Sequence, residues 1–206
     1  MNRIPSVFER NEGRQCVDKV RPECQWVLDG HGFATEKFDG VACNLRGNRL
    51  YRRFRVRASE EAPPGWVHHS DDSRQRTGHG WLPMNDSVLD EDHQEAHQWL
   101  REQHWSTRHA GTYELVGPRA RRNPYNLKGH QLWRHGGTVI SGVTRAPRTF
   151  AGIKRLLEFE LYPMEGIVFW NERPSGIYEM AKVKRKDFGL SWPDRNARIK
   201  HPQEEF

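Results

Sequence analysis

The sequence predicts an α+β fold built from antiparallel sheets with two main helices. Two patterns predict it: short apolar β-like runs separated by turn residues, and two segments whose apolar residues recur at helical spacing. With 206 residues, the chain is long enough to bury a substantial core. We therefore expect one domain that covers residues 1–206.

The elements of the first half follow from its turn residues. Residues 1–25 are polar and irregular, and we expect them to form an arm laid over the domain. The run "GVACNLRGNRLYRRFRV" predicts two strands around the turn dipeptide Gly47-Asn48, with Lys37 just before the first strand. Residues 58–85 are dense in Gly, Pro, Asp and His, which predicts a long loop region that faces a substrate.

The second half contains both helices. Apolar residues recur at helical spacing within residues 88–104, and "TFAGIKRLLEFEL" predicts a second amphipathic helix with Thr149 as its N-cap. "GTYELVGP" predicts a buried strand stopped by Gly117-Pro118, and "HQLWRHGGTVI" predicts a strand and a turn. "MEGIVFW" and "GIYEMAKVKR" predict two strands joined by a turn at residues 173–176.

Composition favours a soluble protein whose partners are polyanions. The chain has eight Trp, nine Phe and five Tyr and a net charge of +6, with a pI near 9.4. Three cysteines without Cys-x-x-Cys spacing argue against a disulfide framework and favour a reducing compartment. Because the sequence shows no signal segment and no apolar run of about eighteen residues, we expect an intracellular protein without a membrane partner.

Lys37 stands in the motif Lys37-Phe38-Asp39-Gly40, which chance supplies roughly once in twenty chains of this length. A nucleophilic lysine needs nearby cations that favour its free amine. Lys182 and Lys184 alternate along one predicted strand and so share a face. Glu114 and Glu165 also stand beside apolar β runs, where an unpaired charge is costly. An active cleft accounts for these residues together.

On these motifs the sequence resembles the covalent nucleotidyltransferases, which include ATP-dependent RNA and DNA ligases and mRNA capping enzymes. The resemblance extends from Glu36 to Lys184. In that superfamily the motif lysine, here Lys37, attacks a nucleotide α-phosphate, forms lysyl-AMP or lysyl-GMP and releases pyrophosphate. The segments "YELVGPRARRNP", "HQLWRHG" and "EGIVFW" with "KVKRKDFG" look most like those of small stand-alone RNA ligases.

The resemblance implies roles for individual residues. It gives Glu165 to a divalent metal, Mg²⁺ or Mn²⁺, and Glu114 to the nucleotide ribose and the metal shell. Lys182 and Lys184 would contact the α-phosphate. A contact to the ribose or the incoming phosphate falls to Arg53 rather than Arg52, although the choice stays open. The remaining nucleotide contacts would come from Glu36, Asp39, Gly40 and an adenine-stacking side chain, Leu132 or Trp133.

The function that this resemblance implies is the joining of RNA 5′-phosphate and 3′-hydroxyl ends, with ATP as cosubstrate, by one nucleotidyltransferase domain. DNA ligases and capping enzymes carry a further OB-fold domain of roughly a hundred residues. Only 22 residues follow Lys184, so we expect no OB domain here. Arg52, Arg119, Arg121 and Arg122 are candidate RNA contacts, with a solvated basic loop as the alternative for the last three.

Other functions stay open. A DNA ligase or a capping guanylyltransferase would share the motifs. A non-enzymatic domain that binds single-stranded RNA fits the basic, aromatic composition, although Glu114 and Glu165 would repel phosphate in a pure binder. Trp66 and Trp81 either stack on RNA bases or cover the sheet edge.

A zinc site is a further alternative, because the chain has eleven histidines. His93 and His97 stand at i and i+4 of the first predicted helix, with His104 beyond them. The zincin pattern has Glu directly after the first His, where this chain has Gln94. Surface histidines are therefore the more economical interpretation.

Overall fold

The computed structural model of the protein describes residues 4–70, 74, 76–85, 90–103, 110–137, 146–159 and 164–192. The described chain forms two compact units. We call residues 39–135 the central unit, and residues 4–38 with residues 136–192 the composite unit. No helix in these ranges is long and apolar enough to cross a membrane.

The described residues contain three α-helices and eleven strands, numbered in chain order, so strands predominate. The strands within each sheet pair antiparallel, which confirms the predicted mixed fold with antiparallel sheets. The helices are α1 (Gln25–Leu28), α2 (Glu91–Glu102) and α3 (Phe150–Phe159). The strands are β1 (Phe8–Arg10), β2 (Cys16–Val20), β3 (Phe33–Lys37), β4 (Val41–Arg46), β5 (Arg49–Val56), β6 (Val67–His68), β7 (Gly78–Pro83), β8 (Gly111–Val116), β9 (Gln131–Arg134), β10 (Gly166–Glu172) and β11 (Tyr178–Lys184).

The composite unit contains a three-stranded sheet in the order β11-β10-β3 and a two-stranded sheet of β1 and β2. Side chains alternate between the faces of a strand, so Ala34 of β3, Ile167 and Phe169 of β10, and Ala181 and Val183 of β11 share one face. They are buried with residues of β1, α1 and α3 in one core. This core includes Phe8, Val27, Ala34, Ile153, Leu157, Ile167, Phe169, Ala181 and Val183.

Thr149 begins α3 as the sequence predicts. Its Oγ1 accepts a hydrogen bond from the backbone N–H of Gly152 at 3.2 Å, which satisfies a donor that the first helical turn leaves without a partner. Ile153 and Leu157, four residues apart, are both fully buried. The predicted amphipathic helix is therefore confirmed, and its apolar stripe faces the composite core.

The prediction of an irregular arm over residues 1–25 was wrong. This segment forms β1, β2 and a 3-10 turn at Pro22–Cys24, and Phe8 is fully buried with its ring 5.0 Å from that of Phe150. Backbone hydrogen bonds also tie Val7 and Pro5 to Lys182 of β11. The polar composition concealed a segment that buries Val7, Phe8, Cys16 and Cys24 in the composite core.

The central unit contains a six-stranded sheet in the order β6-β7-β5-β4-β8-β9. Gly47, at φ +57°, makes the tight turn between β4 and β5, which confirms the predicted hairpin. Helix α2 packs on one face of this sheet through Ala96 and Leu100. We call this the α2 face and the other the outer face. The sequence predicted one long loop region over residues 58–85. These residues instead contain β6 and β7, so they do not form a single loop.

Replacing Leu157 by Ala should lower the free energy of unfolding by about 3 kcal/mol, because the change leaves a cavity in the composite core. Glu158→Ala is the matched control, since Glu158 is exposed on the same helix. Urea unfolding monitored by tryptophan fluorescence measures both. Equal midpoints for the two variants would contradict the placement of α3.

Candidate active site

Lys37, Gly166 and Lys184 lie in one row across the composite sheet. Gly166 of β10 is directly opposite Lys37 of β3 on one side and Lys184 of β11 on the other. A Cβ atom at Gly166 would lie 2.1 Å from the backbone oxygen of Val183, so only glycine fits there. The middle position of the row therefore carries no side chain, and two lysines flank it. We call these three residues the lysine row.

Glu165 joins the two lysines. Lys37 Nζ donates a hydrogen bond to Glu165 Oε2, and Lys184 Nζ donates to Oε1. Glu165 is 6% exposed, and the side chains of Lys37 and Lys184 are 19% and 18% exposed. A buried carboxylate is tolerated when it is paired, and here each oxygen has its own cation. The three ionised groups together carry one net positive charge.

Lys182 adds a further cation to the same face. It stands two residues before Lys184 on β11, opposite Val168, and is half-buried. The two lysines share a face, as the sequence predicts. Glu36, adjacent to Lys37 in β3 and opposite Ile167, falls on the core-facing side of the sheet. The structure thus brings Lys37, Lys182 and Lys184 to one face but puts the Glu36 side chain on the other.

In the central unit, Glu114 holds the Asp39-Gly40 segment. Its Oε1 accepts a hydrogen bond from the Gly40 backbone N–H at 2.9 Å, and its Oε2 lies 2.8 Å from His135 Nε2. A Cβ at Gly40 would lie 2.1 Å from the Leu115 oxygen, which explains the glycine of the motif. The largely buried Glu114 carboxylate thus accepts a hydrogen bond from Gly40, and it accepts a second one in the tautomer of His135 that carries a proton on Nε2.

Sequence reasoning missed Tyr125 and His135. The Tyr125 hydroxyl accepts a hydrogen bond from the Asp39 N–H at 2.7 Å, and His135 bonds to Glu114. His135 follows Trp133 by two residues, so strand alternation could have placed it on the face of Glu114, which is opposite Trp133. Tyr125 lies outside the strands, and no spacing in the sequence relates it to Asp39.

Trp133 and Leu132, the candidates for stacking on adenine, are both buried. Trp133 is 1% exposed, its ring centroid lies 4.7 Å from that of Tyr125, and its Nε1 donates to Gln131. Leu132 packs with α2 in the core of the central unit. Neither side chain presents an open face to an adenine ring in this structure.

Arg52 and Arg53 lie on opposite faces of β5. Arg52 Nε is 2.9 Å from Asp90 Oδ1 on the α2 face, an ion pair without hydrogen-bond geometry, and Asp90 is 1% exposed. Arg53 is exposed on the outer face, to which strand register also assigns Glu114. This placement favours Arg53 over Arg52 as a ligand contact.

The three arginines after the Gly-Pro turn differ in the groups that they contact. Arg119 Nε donates to Asp92 of α2 at 2.6 Å. Arg121 Nε donates to the backbone oxygen of Gly40 at 3.1 Å, which positions the motif. Arg122 is exposed, and both it and Arg121 have left-handed backbone φ values, 66° and 49°. Arg119 and Arg121 are exposed as well.

His93 and His97 stand four residues apart in α2, as the sequence predicts. Burial lowers the pKa of His93 and of His97, and the described residues include no group of three or more His, Cys, Asp or Glu that could hold a metal. His104 lies outside the described residues.

Trp66 and Trp81 are both buried, which agrees with covering the sheet rather than stacking on RNA.

Arg52→Gln should lower the free energy of unfolding by about 3 kcal/mol, because it leaves the buried Asp90 carboxylate without its cation. Arg53→Gln, the neighbouring and matched control, should change stability by less than about 0.5 kcal/mol, since Arg53 is exposed. Urea unfolding of both variants tests this assignment of faces. The opposite ranking would show that the register of β5 is wrong.

No protein-family model matches this chain, and no curated protein sequence matches it either. Its function must therefore be inferred from its own residues and from the geometry of their side chains.

Proposed function

We propose that the protein is an ATP-dependent RNA ligase that works through a covalent lysyl-AMP at Lys37. The observation that carries this proposal is the lysine row, in which Lys37 and Lys184 share the Glu165 carboxylate across a glycine. Lys37 belongs to the Lys-x-Asp-Gly motif, Glu165 to the motif "EGIVF" and Lys184 to the motif "KVK". Residues more than a hundred positions apart in sequence thus meet in one cluster.

The first step needs a deprotonated lysine. The ammonium group of Lys37 loses one proton, and the resulting amine attacks the α-phosphorus of ATP. As the P–N bond forms, the bond from that phosphorus to the bridging oxygen breaks, pyrophosphate leaves, and the nitrogen releases its second proton to water. The first proton needs an acceptor beside Nζ. Glu165 Oε2 already accepts a hydrogen bond from Lys37 Nζ, so it is in position to take that proton. The backbone oxygen of Phe38, which accepts from the same nitrogen at 2.9 Å, orients it.

Lys182 and Lys184 stabilise the negative charge that develops on the α-phosphate. Lys184 is held by Glu165, and Lys182 lies two residues away on the same face. Preorganised cations in a partly buried site cost little reorganisation during the reaction and act in a lowered dielectric. Gly166, between Lys37 and Lys184 in the lysine row, has no side chain that could stand between these cations and a phosphate.

The donor chemistry of Glu165 fits a Mg²⁺ or Mn²⁺ ion that is shared with phosphates. Mg²⁺ in nucleotide enzymes is usually held by one or two carboxylates together with substrate oxygens, so an all-protein cage is not needed. Each Glu165 oxygen uses one lone pair for a lysine and keeps another. When bound, the ion would neutralise phosphate charge. Glu114 is the second carboxylate that the resemblance gives to the metal shell.

Two further transfers complete the proposed reaction. An oxygen of an RNA 5′-phosphate attacks the phosphorus of lysyl-AMP, the P–N bond breaks, and Lys37 regains a proton. The 3′-hydroxyl of the second RNA end then attacks the activated 5′-phosphate, loses its proton, forms the phosphodiester and releases AMP. The nucleotide roles of Asp39, Gly40, Arg53 and Glu114 follow from the resemblance alone.

Incubation with α-labelled ATP or α-labelled GTP and Mg²⁺, followed by a denaturing gel, tests the first step. We expect the ATP label to stay on the wild-type protein and to be absent from Lys37→Ala. Lys186→Ala is the matched control and should label normally, because Lys186 is an exposed lysine just after β11. Label from GTP alone would move the function to capping, and no label from either nucleotide on folded protein would reject the proposal.

Glu165→Gln should reduce the rate of lysyl-AMP formation by at least about a hundredfold, because an amide can neither accept the proton of Lys37 nor hold both ammonium groups. Single-turnover labelling across pH 6–9 measures the rate. If the variant regained the wild-type rate at high pH, Glu165 would act as the proton acceptor. An unchanged rate at all pH values would remove Glu165 from the mechanism.

A further inference from the structure

The outer face of β5 is lined by arginines. Its side chains alternate, so four of its residues point away from α2. Three of these four are exposed arginines, and the fourth is a half-buried tyrosine. We call this group the arginine ladder: Arg49, Tyr51, Arg53 and Arg55.

Basic side chains are directly opposed on this face, and one of the pairs consists of two arginines. Arg49 is the cross-strand partner of Arg46 in β4, and Arg55 is the cross-strand partner of His79 in β7. Partial burial, followed by the charges of Arg53 and Arg55, lowers the pKa of His79, so the imidazole is pushed toward its neutral form. Like charges placed directly opposite each other destabilise a sheet. A face that retains them is better suited to an anion than to stability alone.

The cations of the ladder are available. Among the described residues, Arg49, Arg53 and Arg55 have no carboxylate within ion-pair distance. Glu60, the acid that follows β5, is engaged by Arg57 through two hydrogen bonds. Exposed guanidinium groups without partners can bind phosphate through two parallel N–H donors.

An aromatic ring stands among these cations. The guanidinium carbons of Arg46 and Arg49 lie 5.5 and 5.9 Å from the ring centroid of Tyr51. Alternate residues of a strand are about 6.7 Å apart, so the ladder presents three guanidinium groups and one ring over about 20 Å. Phosphate-binding cations interleaved with an aromatic surface are the chemistry of single-stranded nucleic-acid recognition.

We propose that the arginine ladder binds the sugar-phosphate backbone of the RNA substrate, with Arg49 and Arg55 as phosphate contacts. This inference rests on the proposed function for the identity of its ligand. It adds Arg49 and Arg55, for which the resemblance implies no role, to a substrate surface in the central unit. The strand register shows that these two arginines share a face with Arg53.

The test compares two double variants of equal charge. Arg49→Gln/Arg55→Gln removes two ladder cations, and Arg57→Gln/Arg101→Gln removes two exposed arginines outside it, one paired with Glu60 and one on α2. Fluorescence anisotropy with labelled single-stranded RNA gives the dissociation constant at salt concentrations from about 50 to 200 mM. Urea midpoints within the error of the wild-type value establish that both variants are folded.

Each lost phosphate contact reduces the salt dependence of log K by about 0.7 for a single strand. We therefore expect the ladder variant to lower the slope magnitude by about 1.4 and the control variant to leave it near the wild-type value. Equal slopes for the ladder variant and the wild type, equal changes in both variants, or no RNA binding by the wild type would overturn the inference.

Lysyl-AMP formation without RNA, measured on the same preparations, separates this inference from the ligase proposal. Both double variants should label at the wild-type rate, since neither changes a residue placed at the nucleotide. Absence of label in wild type, with RNA binding that depends on the ladder, would reject the ligase and keep the surface. Normal label with RNA binding that ignores the ladder would do the reverse.

Discussion

The pairing of one carboxylate with two ammonium groups is the interaction on which the composite unit depends. Glu165 lies immediately before β10. The lysines that it binds are the last residues of β3 and β11, so the pairing joins the three strands at one end of the sheet. Removing the carboxylate would leave two partly buried cations facing each other, and removing one lysine would leave a single balanced pair. The same arrangement that pairs the three strands therefore keeps one excess positive charge in a partly buried position.

Strand register determines on which face of its sheet each residue of the candidate site lies. A shift of one residue in β5 would exchange Arg52 and Arg53, and would turn a buried ion pair with Asp90 into an exposed cation. A similar shift in β10 would replace Gly166 in the lysine row by a bulky neighbour. The apolar residues on the core faces fix these registers, because any slip would turn them toward water.

Local pattern predicted a large part of this structure. The hairpin at Gly47, the N-cap Thr149 and the alternation of Lys182 and Lys184 depend on neighbours within a few residues, and all three are confirmed. The strands within residues 1–25 and 58–85 were missed because β1 and β6 have only three and two residues, and because the glycines and the proline of β7 are more typical of loops. The bond from Asp39 to Tyr125, 86 residues away, had no local signal.

The first described residues have a consequence for assembly. A strand at the edge of a sheet offers unpaired backbone groups to other molecules and so promotes aggregation. Here the segment around Ser6 pairs with β11, and Pro5 contributes an acceptor without offering a donor of its own. The N-terminal segment thus pairs with part of the edge strand β11, which carries Lys182. This pairing leaves fewer backbone groups of β11 for a strand of a second molecule.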